Sequence, residues 1–571
     1  MEQKHKREEI AIIGGGRGGV ETALMMAKQT NKDNSPKYHV TLIEEQDTLL
    51  NGASMIASRL HLGGEYPLDP QTAKDCLEGA IIFKLLMPDN IYTPTPPMKF
   101  LVSEKTQGSG EMPENQYDSK SLTLQKYEQA YEKIAHDYSL ALTELQKKLK
   151  LPKVDDAAKL LFGPKADLFK RLDPSSDPKK GYGDYNQGDT KIAGGFQSKE
   201  PGINIGKFLA MLHQELELQQ QKGNITILTG HQVIKDGIQG DLGSYKIHCK
   251  TKDGAKIIPS SQVILTAWQR GPQIIPHLDV DEQGNEKHIT VFKRAMMLVD
   301  LPTGWKTPPA FIMLGESGGM LSPYNDKTAI CYLPTKEAAY RKNHLLTDSQ
   351  PSLPADWDKI TDEEKEKWTQ KYFTLLKERF PILEGATNPR LIIRDTISFQ
   401  PDLDQRNHEA VAEVGKRMQM KMQQTPKMEM QQAEKMSLEM LQEIGHYQPP
   451  GEITGRPGLF TLYPTKATYS LRAAIQATEM VMERSASPSK ESIVPSEHTL
   501  GFVLERDRQK YSLANMQEPN PRFLHDFCKA HPDLFGPNEK PDLKIMSESW
   551  PKDSQTLATQ VQKAAGQFSR S

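Results

Sequence analysis

The chain has 571 residues, which is longer than a single hydrophobic core usually supports, so we expect two folding units with attached segments. Its formal charge of −2 at pH 7 provides no global basic field for nucleic acid, and no apolar run has the length of a membrane span. The N-terminal residues MEQKHKREEI lack the apolar core of a signal peptide, which predicts a cytoplasmic protein.

The stretch IAIIGGGRGGVETAL (residues 10–24) predicts a buried strand, a tight turn and the start of a helix. Gly14, Gly16 and Gly19 occupy the glycine positions of GxGxxG: the first allows the turn, the second lets a pyrophosphate approach the backbone, and the third lets helix and strand pack closely. The free N–H groups at the helix start, next to Gly15, face the phosphates, and the helix dipole stabilises their negative charge. The stretch therefore predicts a dinucleotide site.

The next parallel strand is predicted in YHVTLIEE and ends at Glu44. A carboxylate at this position can accept hydrogen bonds from the ribose hydroxyls of an adenine dinucleotide. The polar loop 31–37 explains why Glu44 follows the glycines at more than the usual spacing. The alternative is a glycine-rich turn without a ligand and an ordinary solvated Glu44.

Small residues then lead from Gly52 through Ser54 to His61 and Tyr66, and a helix is predicted from about Pro70. Small side chains in such density let the backbone press against a flat ligand, with His61 and Tyr66 as the polar groups beside it.

Together, the glycine turn, the strand ending in Glu44, the GAS tripeptide and the H-x-G-x-x-Y arrangement resemble the D-amino-acid-oxidase-like superfamily of FAD oxidoreductases. Within it, HLGGEYPLDPQTAKDCLEGA is most similar to the L-2-hydroxyglutarate oxidase/dehydrogenase branch, and SRLHLGGEY also resembles glycerol-3-phosphate dehydrogenases. The phosphate-ester enzymes commonly carry an arginine where this chain has Glu65. Because a carboxylate there would repel a phosphate dianion, the hydroxy-acid branch ranks higher.

The resemblance implies an α/β fold, in which a Rossmann-type FAD-binding domain (a parallel sheet with an antiparallel meander) is joined to a largely antiparallel α+β substrate domain with helical insertions. The predicted division is 8–103 (FAD-binding domain, first part), 104–180 (helical insertion), 181–275 (FAD-binding domain, second part with helix and meander), 276–400 (substrate-domain sheet), 401–450 (Met-rich helical segment), 451–485 (FAD-binding domain, closing segment) and 486–571 (C-terminal extension).

Several further residues acquire expected roles from the same resemblance. The backbone of Val233 is expected against the adenine, and Arg294 is expected to bind a substrate carboxylate, although it also fits a surface cation on an edge strand. Ser54, Lys466 and Thr468 are candidates for contacts to the cofactor; simple helix capping with an exposed lysine is the alternative for the last two. Trp268 departs from the family pattern, since it is bulky for a position near the pyrophosphate.

Two segments between these motifs carry helical patterns. The insertion has an apolar stripe with members three or four residues apart, typical of a packed helix face, and resembles a lid or a prop: Leu124, Tyr127, Tyr131, Ile134, Tyr138 and Leu142. Segment 408–445 contains seven methionines among polar residues, which fits two helices packed on the domain, or an adaptable contact with a partner or a second subunit.

The cysteines Cys76, Cys249, Cys331 and Cys528 are widely separated and form no CxxC pair. The sequence therefore predicts neither structural disulfides nor a zinc site, and the cysteines are expected to serve as small packing residues.

The predicted function is transfer of a hydride from a small 2-hydroxy acid to the N5 atom of FAD. His61 is the candidate base, Arg294 the candidate carboxylate anchor and Tyr66 a candidate positioning group. Two alternatives remain: an amine or amino-acid oxidase on the same scaffold, which the fold does not separate from the first, and a catalytically altered flavoprotein with a binding role. The electron acceptor, covalent attachment of the flavin and the oligomeric state stay open.

Overall fold

The computed structural model describes residues 7–56, 58–67, 70–94, 97–103, 124–188, 191–267, 270–275, 290–302, 310–314, 319–324, 328–332, 360–398, 450–453, 455–462, 467–488 and 493. The strands are β1 (Glu8–Ile13), β2 (Tyr38–Ile43), β3 (Ile91–Tyr92), β4 (Met98–Ser103), β5 (Phe169–Arg171), β6 (Ile192–Ser198), β7 (Gly202–Ile203), β8 (Ile225–Leu228), β9 (Gln232–Gln239), β10 (Tyr245–Thr251), β11 (Gly254–Ser260), β12 (Gln262–Leu265), β13 (Thr290–Asp300), β14 (Phe311–Leu314), β15 (Met320–Pro323), β16 (Thr328–Tyr332), β17 (Thr387–Ser398), β18 (Gly451–Glu452) and β19 (Leu459–Thr461). The α-helices are α1 (Arg17–Ala27), α2 (Pro70–Leu86), α3 (Leu124–Lys148), α4 (Val154–Leu160), α5 (Ile205–Gln221), α6 (Gly271–Ile274), α7 (Asp362–Arg379) and α8 (Ala467–Ala486).

The first sheet has the order β18-β19-β12-β1-β2-β8 and is parallel except for β18. Its five parallel strands follow the 3-2-1-4-5 order of doubly wound dinucleotide-binding sheets. Between β1 and β12 the direction of chain winding reverses. In such sheets, ligands bind in the crevice outside the carboxyl ends of the strands at this reversal.

Strand β1 is covered on both faces, which explains its run of four buried residues. Ile10 and Ile12 lie in a core built with α1, α2, α5 and α8. Ala11 and Ile13 face the other way and pack with the antiparallel sheet β11-β10-β9. The predicted Rossmann-type sheet with its meander and its returning strand is therefore confirmed.

The second sheet has the order β17-β13-β16-β15-β14-β4-β6-β5 and is antiparallel except for the pair β14 and β4. Phe100 of β4 packs in the core of the first unit, whereas Leu101 faces a second core that contains Tyr372 of α7. The structure differs here from the predicted division, which gave β4 and β6 to the FAD-binding domain. Their pairing partners come from distant parts of the chain, so no local pattern reveals them.

The insertion packs on the first unit through the predicted stripe of α3. Tyr127, Tyr131, Ile134, Tyr138 and Leu142 are all buried, which confirms the packed face. Among the described residues, Cys76, Cys249 and Cys331 are buried thiols that form no disulfide. Among the helices that the structure describes, none combines the length and the apolar character needed to cross a membrane.

Several predicted features lie outside the described residues. They are Trp268, Lys466, Cys528, the methionine-containing segment 408–445 and the extension beyond residue 493.

An ion pair with little solvent exposure ties the end of α8 to the edge of the first sheet. Arg484 is fully buried, and its Nε donates to Glu452 Oε1 at 2.8 Å while Nη2 pairs with Oε2. The Gly458 N–H also donates to Glu452 Oε1, at 2.6 Å. A single carboxylate thus joins helix, strand and loop.

Replacement of Arg484 by Met should lower the free energy of unfolding by about 3–5 kcal/mol, because it leaves the Glu452 carboxylate buried without its counter-charge. The double variant Arg484→Met/Glu452→Gln should recover at least half of that loss, since a neutral amide still accepts the N–H of Gly458. Urea unfolding of the three proteins measures the difference. Equal losses in the single and double variants would contradict this account of the pair.

Candidate active site

The glycine turn between β1 and α1 uses its three motif glycines for three different reasons. Gly14 has φ +114°, a conformation that favours glycine. A β-carbon on Gly19 would overlap the carbonyl oxygen of Gly14, so the turn and the helix are in direct contact. At Gly16, in contrast, a β-carbon would meet only Ser54 Oγ, at 3.7 Å. The turn is therefore closed toward the protein at Gly14 and Gly19 and open at Gly16.

Polar side chains from three segments surround this turn. The Thr266 hydroxyl, just after β12, lies 3.0 Å from the carbonyl oxygen of Ile13 and 2.9 Å from that of Gly14. Ser54 lies in the 3₁₀ helix Gly52–Met55 and accepts the Arg17 N–H at 3.0 Å. It thereby stands beside the first N–H of α1.

Glu44 closes the other side of the turn. Its Oε2 accepts the Gly15 N–H at 2.6 Å, and its Oε1 accepts the Gln46 N–H at 2.8 Å. Burial raises the pKa of Glu44, although the two N–H donors favour its charged form. The carboxylate is thus fixed at the end of β2, where an adenosine ribose would lie.

The open Gly16 backbone, the helix start and the fixed carboxylate together fit an adenine dinucleotide. A pyrophosphate would occupy the space that a Gly16 side chain would fill, and Glu44 is placed for the ribose.

The loop from Arg59 to Tyr66 begins four residues after the 3₁₀ helix and carries the candidate base. The His61 N–H donates to Thr468 Oγ1 at 3.0 Å. The His61 and Tyr66 rings meet edge to face, with centroids 6.0 Å apart. The start of α8 therefore holds this loop by a side-chain hydroxyl.

The same end of α8 is also bound to α1. The Ser470 hydroxyl donates to Glu21 Oε1 at 3.2 Å, and the Arg17 Nε donates to the same oxygen at 2.7 Å. The Arg17 guanidinium lies over the Phe208 ring, 4.5 Å from its centroid. Thr468 and Ser470 thus connect the His61 loop to the helix of the glycine turn.

A buried ion pair organises the His61 loop. Arg59 Nη2 pairs with Glu200 Oε1, and Glu200 Oε2 accepts the Leu62 N–H at 3.1 Å. Arg59 Nη1 lies 3.3 Å from Glu65 Oε2 and 3.1 Å from Met320 Sδ of β15. The loop is therefore held at the junction of the two sheets.

The His61 ring directs Nδ1 toward both carboxylates. This atom lies 3.2 Å from Glu65 Oε2 and 3.4 Å from Glu200 Oε1. Burial, followed by the Arg59 charge, lowers the pKa of His61, and the two carboxylates oppose that shift only in part. Since histidine ordinarily titrates near 6.5, the ring is neutral at pH 7.

Glu200 remains charged despite having no solvent exposure. Burial raises the pKa of its carboxyl, but Arg59, His61 and the Leu62 N–H together outweigh burial and hold the pKa below its usual range.

The helical insertion supports the loop from the outside. The Tyr131 hydroxyl of α3 donates to the Gly64 carbonyl at 2.8 Å. Its ring packs against Phe169 and Phe196, with centroids 4.7 and 4.5 Å away. The insertion is a prop against the loop that carries His61.

The structure brings the predicted site residues into two groups. Gly14, Gly15, Gly16, Gly19, Glu44 and Ser54 meet at the glycine turn, and His61, Tyr66 and Thr468 meet at the loop. Val233 lies buried in β9, two residues after His231, whose N–H donates to the Glu44 carbonyl at 2.9 Å. Arg294 lies in β13 opposite Arg394 of β17, and its side chain is outside the described part.

Sequence reasoning missed Arg59 and Glu200, and it placed Tyr131 in the packed stripe of α3 without its hydrogen bond to the Gly64 carbonyl. Arg59 stands two residues before His61 and offered a local signal as a cation within an otherwise apolar and small loop. Glu200 lies in the polar segment SKEPG, 139 residues after His61. Nothing in the neighbouring sequence indicates that it pairs with Arg59 and lies beside the His61 ring.

No protein-family model and no curated protein matches the sequence. Solved structures resemble the fold at low identity. An L-proline dehydrogenase from P. horikoshii has a TM-score of 0.47 and 13% identity over 85% of this chain and 95% of that chain. A glycine oxidase from Geobacillus kaustophilus has a TM-score of 0.45 and 11% identity over 86% and 99%. An L-α-glycerophosphate oxidase from Mycoplasma pneumoniae, with FAD bound, has a TM-score of 0.42 and 13% identity over 69% and 84%.

Tyr131→Phe should accelerate amide hydrogen exchange in peptides that cover residues 59–67, because the Gly64 carbonyl loses its donor inside the protein. A buried group left unpaired costs about 1–3 kcal/mol. Exchange followed by mass spectrometry measures the effect.

The matched control is Tyr138→Phe, which removes a hydroxyl that donates to Gly163 at 2.8 Å within the insertion itself. It should leave exchange at residues 59–67 unchanged. If both variants loosen the loop equally, α3 does not act through Tyr131.

Proposed function

We propose that this chain is a FAD-dependent oxidoreductase. The observation that carries the proposal is the glycine turn, which is closed at Gly14 and Gly19 but open at Gly16, at the reversal point of a 3-2-1-4-5 sheet. An empty structural turn has no need for an open second glycine, whereas a pyrophosphate requires one.

The residues that would hold the cofactor follow from this geometry. The N–H groups at the start of α1 and the Ser54 hydroxyl would receive the pyrophosphate, and Glu44 would accept the ribose hydroxyls. The Val233 backbone and Lys466 are proposed for the adenine and the flavin ring from the resemblance of the sequence. When bound, the flavin supplies a hydride acceptor.

His61 is the proposed base. A neutral imidazole with Nδ1 facing carboxylates has Nε2 on the opposite side of the ring, where it can take a proton from a substrate hydroxyl or amine. Tyr66, edge-on to the ring, is proposed to orient the substrate. The connection through Thr468 and Ser470 supports a single site that joins the turn and the loop.

A small 2-hydroxy acid is the proposed substrate, with Arg294 as the anchor of its carboxylate. One observation favours a second candidate, an amine or an amino acid. Among the described side chains within ion-pair distance of His61 or its partners, two carboxylates, Glu65 and Glu200, face one guanidinium, Arg59. This net negative charge favours a neutral or cationic substrate over an anion unless Arg294 supplies a further charge. A cytoplasmic location is retained as part of the proposal.

Gly16→Ala should fold normally and lose FAD. Its β-carbon meets only Ser54 Oγ, and the φ of −70° at Gly16 suits alanine, but the new methyl group occupies the space for the pyrophosphate. Gly19→Ala should instead lower the melting temperature, because its β-carbon overlaps Gly14. Visible absorbance of the purified proteins, before and after acid precipitation, and thermal unfolding measure both effects.

A colourless wild-type protein that binds no added FAD in a calorimeter would overturn the proposal. So would a Gly16→Ala protein that retains full flavin content.

His61→Asn should slow anaerobic reduction of the flavin by about 10²–10⁴-fold, the usual contribution of a general base, with little change in flavin content. In the wild-type protein the rate should fall as the pH is lowered through the pKa of His61, which lies below about 6.5, because the protonated ring cannot accept a proton. Stopped-flow absorbance with a panel of 2-hydroxy acids and amino acids measures the rate.

The panel also separates the candidate substrates. Bleaching by amino acids alone would select the second candidate. A yellow protein that no panel member bleaches would point to a flavoprotein with a binding role.

A further inference from the structure

We propose that Glu200 is a positioning residue for His61: it holds the imidazole in the tautomer with the proton on Nδ1, so that Nε2 is free for the substrate. This inference rests on the proposed function for its catalytic meaning, whereas the tautomer itself can be tested without a substrate.

The argument begins with the donors and acceptors around Nδ1. One oxygen of Glu65 and one of Glu200 lie 3.2 and 3.4 Å from it. A charged carboxylate only accepts hydrogen bonds. A lone pair on Nδ1 would face two negative oxygens, whereas an N–H would be attracted to both. A neutral His61 therefore carries its proton on Nδ1.

Glu200 is the fixed member of the two carboxylates. It has no solvent exposure, and both oxygens of its carboxylate are bound, Oε1 by the Arg59 guanidinium and Oε2 by the Leu62 N–H at 3.1 Å. The Glu65 side chain retains 23% exposure. Glu65 is also on the same loop as His61, so it moves with the ring that it would have to fix.

The charged and titratable groups that face His61 have opposing effects. Arg59 disfavours protonation of the ring, Glu65 and Glu200 favour it, and the Tyr66 ring meets it in an edge-to-face contact. Removal of the Glu200 charge should therefore lower the pKa of His61 further and release the preference for the Nδ1 tautomer.

The test is ¹H–¹⁵N spectroscopy of the full-length holoprotein with ¹⁵N-labelled histidine, in which the His61 signals are assigned by their loss in His61→Asn. In the wild-type protein we expect the neutral ring to be protonated on Nδ1. In Glu200→Gln we expect a mixture of tautomers, a lower pKa of His61, and an acid limb of the reduction rate that moves to lower pH. The rate at neutral pH should fall about tenfold to hundredfold, within the range that a general base contributes.

Glu215→Gln is the matched control, since it neutralises another buried carboxylate, one that pairs with Lys28 at 3.1 Å. It should change neither the tautomer nor the pKa of His61. Glu65→Gln should disturb the tautomer of His61 less than Glu200→Gln does, because the Glu65 side chain is 23% exposed and is not fixed by a buried pair of its own.

Glu200→Gln leaves Arg59 buried and can fail to fold for that reason alone. The double variant Arg59→Met/Glu200→Gln, which removes both charges of the buried pair, then takes its place and should show the same mixture of tautomers. The inference is overturned if Glu200→Gln, or the double variant where the single one does not fold, leaves the tautomer of His61 as it is in the control. A shifted tautomer without any flavin reduction in the wild-type protein would refute the proposed function and retain the positioning contact.

Discussion

The buried pair of Arg59 and Glu200 is the interaction on which the candidate site depends. Burial of two charges is costly, and here the cost is offset by bonds that each partner makes to the His61 loop. Because one partner lies on the loop and the other follows β6 of the second sheet, the pair fixes the loop at the junction of the two units. A charged pair in this place gives orientation, which apolar contacts alone would not supply.

Around that pair, the fold separates two tasks. The first sheet builds the glycine turn, where the exposed backbone at Gly16 and the fixed carboxylate of Glu44 suit a dinucleotide. The second sheet contacts the His61 loop through Met320, which lies against Arg59. The start of α8 links the tasks, since Thr468 contacts the loop and Ser470 contacts Glu21 of α1. A small rotation of α8 would therefore displace both the contact with the His61 loop and the contact with α1.

Much of this arrangement could be predicted from sequence because its signals are local. Three features depend only on residues close together in the sequence: the strand, turn and helix around Gly14, the end of β2 at Glu44, and the apolar stripe on α3. Glu200, and the membership of β4 and β6 in the second sheet, depend on contacts between distant segments, for which a single sequence carries no periodicity. Thr468 illustrates a middle case: its place beside the site was predicted, but its bond to the His61 backbone was not.

The order of strands in the first sheet has a consequence for synthesis of the protein on the ribosome. β1 and β2 emerge early, yet β12 and β19, which complete the same sheet beyond β1, comprise residues 262–265 and 459–461. The Thr266 hydroxyl that holds the glycine turn arrives with the first of these. The edge of β1 that pairs with β12, with its backbone N–H and C=O groups, must therefore wait without its native neighbour while residues 14–261 are translated, a period in which a chaperone would have most to protect.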